Sequence, residues 1–378
     1  MSGRRKHGNN GFGKMPKYKP CPASKKKPFK WLLVYYTVFQ EEYNDFKKMI
    51  LPHLRQAPKF CRNVAFDMIH IARVQGGKKA LQGDGYTMFS YKPGDKSLRV
   101  KKSGCKTISG CLPKLFAAQR KKYGRNYDGV MYSGHSNGIA LGKDEYEAIA
   151  TIDLRKLLTD EMKKSKGKKF KVLAFDSCYM GTLASLYEFR RCATHLLAAP
   201  TYHDGRSLIT GLTFFQKDPK ISDYQWLKSI VADYVFNVPR VFTATFPILT
   251  SLLSASALGT LGNYLIKSGL WKQLKFPRSS IIYHDDPNLC DIDAVFWSTY
   301  KTASASVRGK LRKAARLLHK TIQYSPYNPE NHKAHIFPRL SIHKSVPTYV
   351  DRDVVCGKTG MPYFNKTGCQ LKKKKKRV

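Results

Sequence analysis

The chain has 378 residues, 42% of them hydrophobic, with 68 Lys and Arg against 26 Asp and Glu, a formal net charge of +42 at neutral pH. That length and apolar content exclude a disordered chain and allow one substantial core with a smaller unit attached. The charge excludes an electrically neutral surface and calls for acidic partners, a nucleic acid or another polyanion.

Residues 1–29 are rich in Gly, Pro and Lys without apolar periodicity and predict a basic disordered arm. The chain closes on Lys372 to Lys376 and Arg377. The sixteen bases of residues 1–30 and this tail leave 52 against 26 acids, so the body is basic too. Such ends bind nucleic acid, act as an address for the nucleus, a nucleoid or a viral particle, or only solvate the chain. Nine cysteines, odd in number and without a C-x-x-C pair, argue against a disulfide scaffold or structural zinc. The basic start lacks the apolar segment of a secretory signal, and a reducing, intracellular compartment is expected.

Residues 31–39 (WLLVYYTVF) form a continuous apolar and β-branched run, the pattern of a strand buried on both faces, and residues 41–56 read as helical. Strands are predicted at 63–74, 86–91, 127–133 (YDGVMYS), 170–175 (FKVLAF) and 194–200. Helices are predicted at 111–123, 152–164 and 179–191, the last with Met180, Leu183, Ala184 and Tyr187 on one face. Residues 241–266 carry no formal charge and are long enough to span a bilayer. They are nevertheless broken by Pro247 and by recurrent Ser, Thr and Gly, and read as buried strand and helix, with no membrane span. Residues 303–324 predict a basic amphipathic helix that either binds nucleic acid or packs on the sheet, and an extended, lysine-tailed terminus follows. The chain thus divides into an arm at 1–29, a main domain at 30–300 and a basic helical and extended region at 301–378.

Alternation of strands and helices over residues 30–200 predicts an α/β fold with a mostly parallel central sheet and helices on both faces. In such sheets, ligands gather at the carboxyl ends of strands. Two chemically capable residues stand there. Cys178 follows the strand at 170–175 and precedes a predicted helix, whose positive end favours the thiolate. His135 lies in a glycine-flanked turn (SGHSNG) after the strand at 127–133, placed to exchange protons with a thiol or a leaving amine. Taken singly, each has a plainer account: a buried cysteine, a turn histidine capping the next element. Their occurrence at successive strand ends points to a Cys/His pair. Strand alternation puts Asp176 on the same side as Cys178, where its charge opposes the thiolate unless a substrate cation neutralises it. A pocket for a substrate Lys or Arg follows from that, with a helix cap as the alternative.

The segments WLLVYYTVFQEEYNDF, YDGVMYSGHSNG and KVLAFDSCYMGTLASLYEFRRCATHLLAAP, spread over residues 30–300, resemble the clostripain-like family of clan CD cysteine peptidases, relatives of caspases, gingipains and legumains. The most specific element is the Asp-x-Cys-x-Met-Gly pattern at Asp176, Cys178, Met180 and Gly181. The resemblance implies a caspase-hemoglobinase-like fold and an endopeptidase that cuts polypeptides after Arg or Lys. In it Cys178 is the nucleophile, His135 the proton carrier and Asp176 the S1 residue, with Asp204 a weaker candidate for the same pocket. The backbone N–H groups of Cys178 and Ser136 would form the oxyanion hole, Ser136 standing where the family commonly has Gly. Some relatives are self-processed between the two strands, where Lys143 offers a basic site, and some need calcium. Asp285, Asp286, Asp291 and Asp293 cluster near Cys290 without the spacing of a known calcium loop, so no cofactor is expected and calcium stays open. The competing reading is an inactive peptidase-like scaffold that binds nucleic acid or another polyanion.

Overall fold

The structure, a computed structural model, describes residues 27–37, 40–72, 86–103, 108–136, 138, 140–142, 149–200, 207–236, 250–283, 286–326 and 339–343. In chain order the first elements are β1 (Phe29–Thr37), α1 (Gln40–Asp45), a π-helical turn (Phe46–Ile50), α2 (Leu51–Arg55), α3 (Ala57–Phe60), β2 (Val64–Ala72), β3 (Tyr86–Tyr91) and β4 (Arg99–Ser103). The middle of the chain forms α4 (Ile108–Tyr123), β5 (Gly129–Ser133), β6 (Ala140–Leu141), β7 (Ile149–Ala150), α5 (Thr151–Lys164), β8 (Phe170–Asp176), α6 (Leu183–Glu188), β9 (Ala193–Ala198) and α7 (Asp223–Phe236). The last elements are β10 (Ser251–Ser254), α8 (Ala255–Lys267), β11 (Ile281–Tyr283), β12 (Asp286–Asp291), α9 (Ile292–Thr302), α10 (Ala305–Thr321), β13 (Ile322–Tyr324) and β14 (Ser341–His343).

Among the described residues nine strands make the main sheet, in the order β13-β10-β9-β8-β5-β1-β2-β3-β4. Its centre, from β9 to β2, is parallel, and antiparallel strands extend both edges. The apolar run of β1 explains its central place. Leu32, Val34 and Tyr36 pack on the face covered by α4, α5, α6, α8 and α10, while Trp31, Leu33 and Tyr35 pack on the face covered by α2 and α7. A strand covered on both sides has no solvent face to mark with polar residues, which is why it reads as one unbroken apolar run. The α/β expectation with a mostly parallel sheet and helices on both faces therefore holds.

Several local expectations change. The arm ends earlier than residue 29: Phe29 is buried against Trp31 and Trp226, and Lys30 is buried in an ion pair with Asp67 at 2.9 Å. The helix expected at 41–56 is divided, because Pro52 and Pro58 sit in the first turns of α2 and α3. Proline suits a first turn, where no N–H partner is needed, and so favours a fresh helix start. β4 (RVKKS) escaped the apolar pattern because it is an edge strand, and lysines on an edge discourage pairing with other chains. Packing runs across residue 300: Leu311, Ala314 and Leu318 of α10 join the same core, and β13 extends the same sheet. Residues 250–266 form a strand and a helix, and no helix among the described residues is long and apolar enough to cross a membrane.

Candidate active site

The carboxyl ends of β1, β5 and β8 lie side by side because these strands are parallel neighbours. The β5–β8 register pairs Ser133 with Asp176, so the residues that follow, Gly134 to Ser136 and Ser177 to Tyr179, leave the sheet at one level. The N–H of Gly134 donates to the Asp176 carbonyl at 3.2 Å, extending the ladder by one bond. Gly134 has φ of 145°, and a Cβ there would lie 2.8 Å from the Tyr36 carbonyl oxygen, so only glycine allows this exit towards His135.

Four contacts fix the histidine loop. The His135 carbonyl accepts hydrogen bonds from the Tyr132 hydroxyl at 2.8 Å and from the Gly142 N–H at 2.9 Å. The ring Nε2 meets Glu42 Oε1 at 2.5 Å, both side chains being 31% exposed. The Ser136 hydroxyl donates to the Cys178 carbonyl, tying the histidine loop directly to the cysteine loop. Burial pushes the Tyr132 hydroxyl well above its ordinary value, with the neighbouring Tyr36, Glu42 and Cys178 adding to the rise and the hydrogen bond at Gly142 opposing it. The loop that carries His135 and the loop that carries Cys178 thus meet through Ser136. Ser136 adopts no positive φ, the non-glycine residues that do so among those described being Lys166 and Tyr179. Its side chain has a task that glycine could not perform.

The cysteine loop departs from expectation. β8 ends at Asp176, Cys178 lies in a turn, and the helix begins only at Leu183, capped by Thr182, whose side chain accepts from the Ser185 N–H. Strand alternation therefore does not relate Asp176 to Cys178, and the thiol is not at a helix N-terminus. The turn includes Tyr179 at φ 58°, a left-handed conformation unfavourable for a side chain with a Cβ. Surrounding contacts hold it. Gly181 donates to the Ala199 carbonyl at 2.7 Å and accepts from the Ser341 N–H at 3.0 Å, so the residue after β9 on one side and β14 on the other clamp the loop. A Cβ on Gly181 would lie 2.6 Å from the backbone N and Cα of Pro200. Gly181→Ala is expected to lower unfolding stability by about 1–3 kcal/mol, the range for forced overpacking, read as a lower Tm in a thermal melt. An unchanged Tm would show that the loop yields without loss.

Asp176 is 3% exposed. Its Oδ2 accepts from the Ser133 hydroxyl and from the Leu208 N–H, each at 2.8 Å. It is not the cap of α6. Instead it joins the end of β8 to the segment returning after β9, where Ser207 also meets Ser133 at 3.2 Å. Asp204 and Lys143 lie outside the described residues. Of the acidic cluster near Cys290, Asp291 caps α9 through the N–H groups of Asp293 and Ala294, and Asp293 pairs with Arg339 at 2.7 Å. Burial, with Asp293 beside it, raises the Asp291 carboxyl to about 6. Among the described residues no group of three or more His, Cys, Asp or Glu is placed to hold a metal ion.

Glu42 is the residue that sequence reasoning passed over. It stands in the acidic stretch after β1, quoted for its resemblance without a role assigned to any of its carboxylates. The available signal was positional: β1 is the neighbour of β5, so the strand-end rule that selected His135 also selects the segment after β1.

Residues 112–207, which include His135 and Cys178, match the clostripain family. No curated protein matches the sequence. Among solved structures, the chain is similar to an inactive zymogen C11 protease from Parabacteroides distasonis, with 16% identity, a TM-score of 0.59, and 86% of this chain and 94% of that one covered. It is also similar to a secreted C11 cysteine protease from Bacteroides thetaiotaomicron in complex with an irreversible peptide inhibitor, with 13% identity, a TM-score of 0.58, and 86% and 95% covered. In the stretch that carries both His135 and Cys178, and in its caspase-like α/β fold, the chain resembles the clostripain family of clan CD cysteine peptidases.

Proposed function

We propose that the protein is a cysteine endopeptidase that hydrolyses polypeptides after Arg or Lys through Cys178 and His135. The observation that carries this reading is the meeting of the two loops: Ser136 bonded to the Cys178 carbonyl and His135 seated on Glu42, at the shared carboxyl edge of β1, β5 and β8. The Cys178 sulfur attacks the scissile carbonyl carbon, its proton passing to His135. The resulting oxyanion is met by the backbone N–H groups of Cys178 and Ser136. His135 returns the proton to the departing amine as the C–N bond breaks, and an acyl-enzyme remains. Water then attacks the thioester, giving a proton to His135 and releasing the acid and the thiol. Since no helix end assists the thiol, the counter-charge for the thiolate falls to His135, and Glu42 orients the ring and balances the charge it gains.

Asp176 supplies the negative charge for a substrate Arg or Lys, and Asp204 is proposed for the same pocket. Lys143 is proposed as a self-processing site, since a peptidase selective for bases would accept its own chain there. The test is cleavage of fluorogenic peptides with Arg, Lys, Asp or Asn at P1. Turnover restricted to Arg and Lys is expected, and turnover after Asp or Asn instead would refute the assigned specificity.

Glu42 acts as a positioning residue in this scheme. Glu42→Gln is expected to lower kcat about 10- to 100-fold with KM little changed, below the full effect of losing an acid/base group because the pair is partly solvated. Glu42→Asp should recover part of the loss. A fall in Tm without this kcat effect would reassign the pair to structure alone.

A further inference from the structure

A second surface lies apart from the peptidase site, on α9 and α10, and its chemistry stands whether or not Cys178 is active. Between Asp293 and Glu330 the chain has no carboxylate side chain, yet it has seven Lys and Arg. α10 turns Leu311, Ala314 and Leu318 inward. Along its outer side Arg308, Arg312, Arg316 and Lys320 follow one another at i, i+4 spacing. Like charges at that spacing repel and destabilise a helix. A helix that only needed solubility would intersperse acids, which pair favourably at the same positions. None of these four cations forms an ion pair with a described carboxylate.

Beside the row stands an aromatic pair, one ring exposed and the other half-buried against the core. Trp297 of α9 is 59% exposed and lies parallel to Tyr300, with ring centroids 6.0 Å apart and an interplanar angle of 8°. Lys301 Nζ is 5.3 Å from the Trp297 ring, and the guanidinium groups of Arg308 and Arg312 are 5.4 and 6.0 Å from that of Tyr300. Flat aromatic faces bordered by cations are the means by which proteins hold bases and phosphates together.

We propose that this face binds single-stranded nucleic acid, Trp297 stacking on a base while Arg308, Arg312, Arg316 and Lys320 track the backbone. The row advances by about 6 Å per cation at 1.5 Å per helical residue, comparable to the spacing of successive phosphates along an extended strand. A duplex keeps its base faces stacked inside and offers Trp297 nothing to stack on. Insertion into a membrane interface requires an apolar helix face turned outward, whereas the apolar stripe of α10 faces the core.

The test uses the full chain with its basic ends in place, carrying Cys178→Ala throughout to prevent self-cleavage. Binding of a fluorescent oligo-dT, a duplex of equal length and anionic phosphatidylserine vesicles is measured across a salt series. Trp297→Ala is expected to weaken oligo-dT binding about 5- to 100-fold, the worth of one stacked base, with the salt slope and duplex binding unchanged. Arg312→Gln, Arg316→Gln and Lys320→Gln together should reduce the salt slope by about 2, three single-strand phosphate contacts being lost. Since all four side chains are surface-facing, thermal melts should match the parent. Wild-type binding by both variants would overturn the proposal and assign any affinity to the terminal arms. A preference for duplex, or for vesicles over oligo-dT, would overturn it in favour of a different anionic partner.

Discussion

Cys178→Ala is expected to abolish hydrolysis of Arg- and Lys-containing peptides, a loss on the order of 10⁵-fold or more in kcat, with peptide binding retained. Removing the attacking atom eliminates the acyl-enzyme route outright, and what remains is the small rate that binding and oxyanion donors give to water. The measurement is turnover beside the parent, with intact mass recorded on both chains. Cleavage after Lys143 in the parent and its absence in Cys178→Ala would assign self-processing to the same thiol. Because Cys178 is only partly buried, in a turn clamped through Gly181, the alanine leaves the fold as it was, and the two proteins should melt together. Turnover that survives the substitution would remove Cys178 as nucleophile. No turnover by the parent, processed or unprocessed and with or without calcium, would favour the inactive scaffold.

Asp176→Asn is the second large effect. The change keeps the shape of the side chain and an oxygen that can accept from Ser133 and Leu208, yet removes the charge. A substrate guanidinium or ammonium buried against a neutral amide loses its partner, which costs about 2–5 kcal/mol, and kcat/KM for Arg and Lys peptides should fall roughly 30- to 4000-fold. Peptides with a neutral P1 residue, expected to be poor substrates for the parent, should lose little or improve, because a charge they cannot complement has been removed. An equal loss for all peptides would place Asp176 in the support of the cysteine loop and not in specificity. Its ties to Ser133 and to the segment after β9 make that outcome a physical alternative, and the P1 comparison separates the two.

Most of the sheet was readable from the sequence, for an identifiable reason. β1, β5 and β8 are covered on both faces, so burial writes itself as continuous apolar runs, and β3 was legible from its short bounded pattern. β4 was not, since an edge strand carries lysines. The helix expected from Tyr179 onward had the right periodicity but a late start, because periodicity records which side chains are buried and not whether the backbone between them is helical.

By itself, the sequence determined the α/β class, the strand ends at which chemistry would sit, and His135 and Cys178 as its candidates, all of which depend on residues close together in the chain. Tertiary structure alone decided the rest. Glu42 meets His135 across 93 positions of sequence, and Ser136 reaches the Cys178 carbonyl across 42. Ser341 holds Gly181 across 160. Such pairs follow from strand order and register, which arise when the whole core closes, and no local pattern of hydrophobicity records them. The same holds for Tyr300 and the cations of α10: composition announced a basic chain, but which of its bases stand beside the Trp297–Tyr300 pair was decided by how α9 and α10 pack.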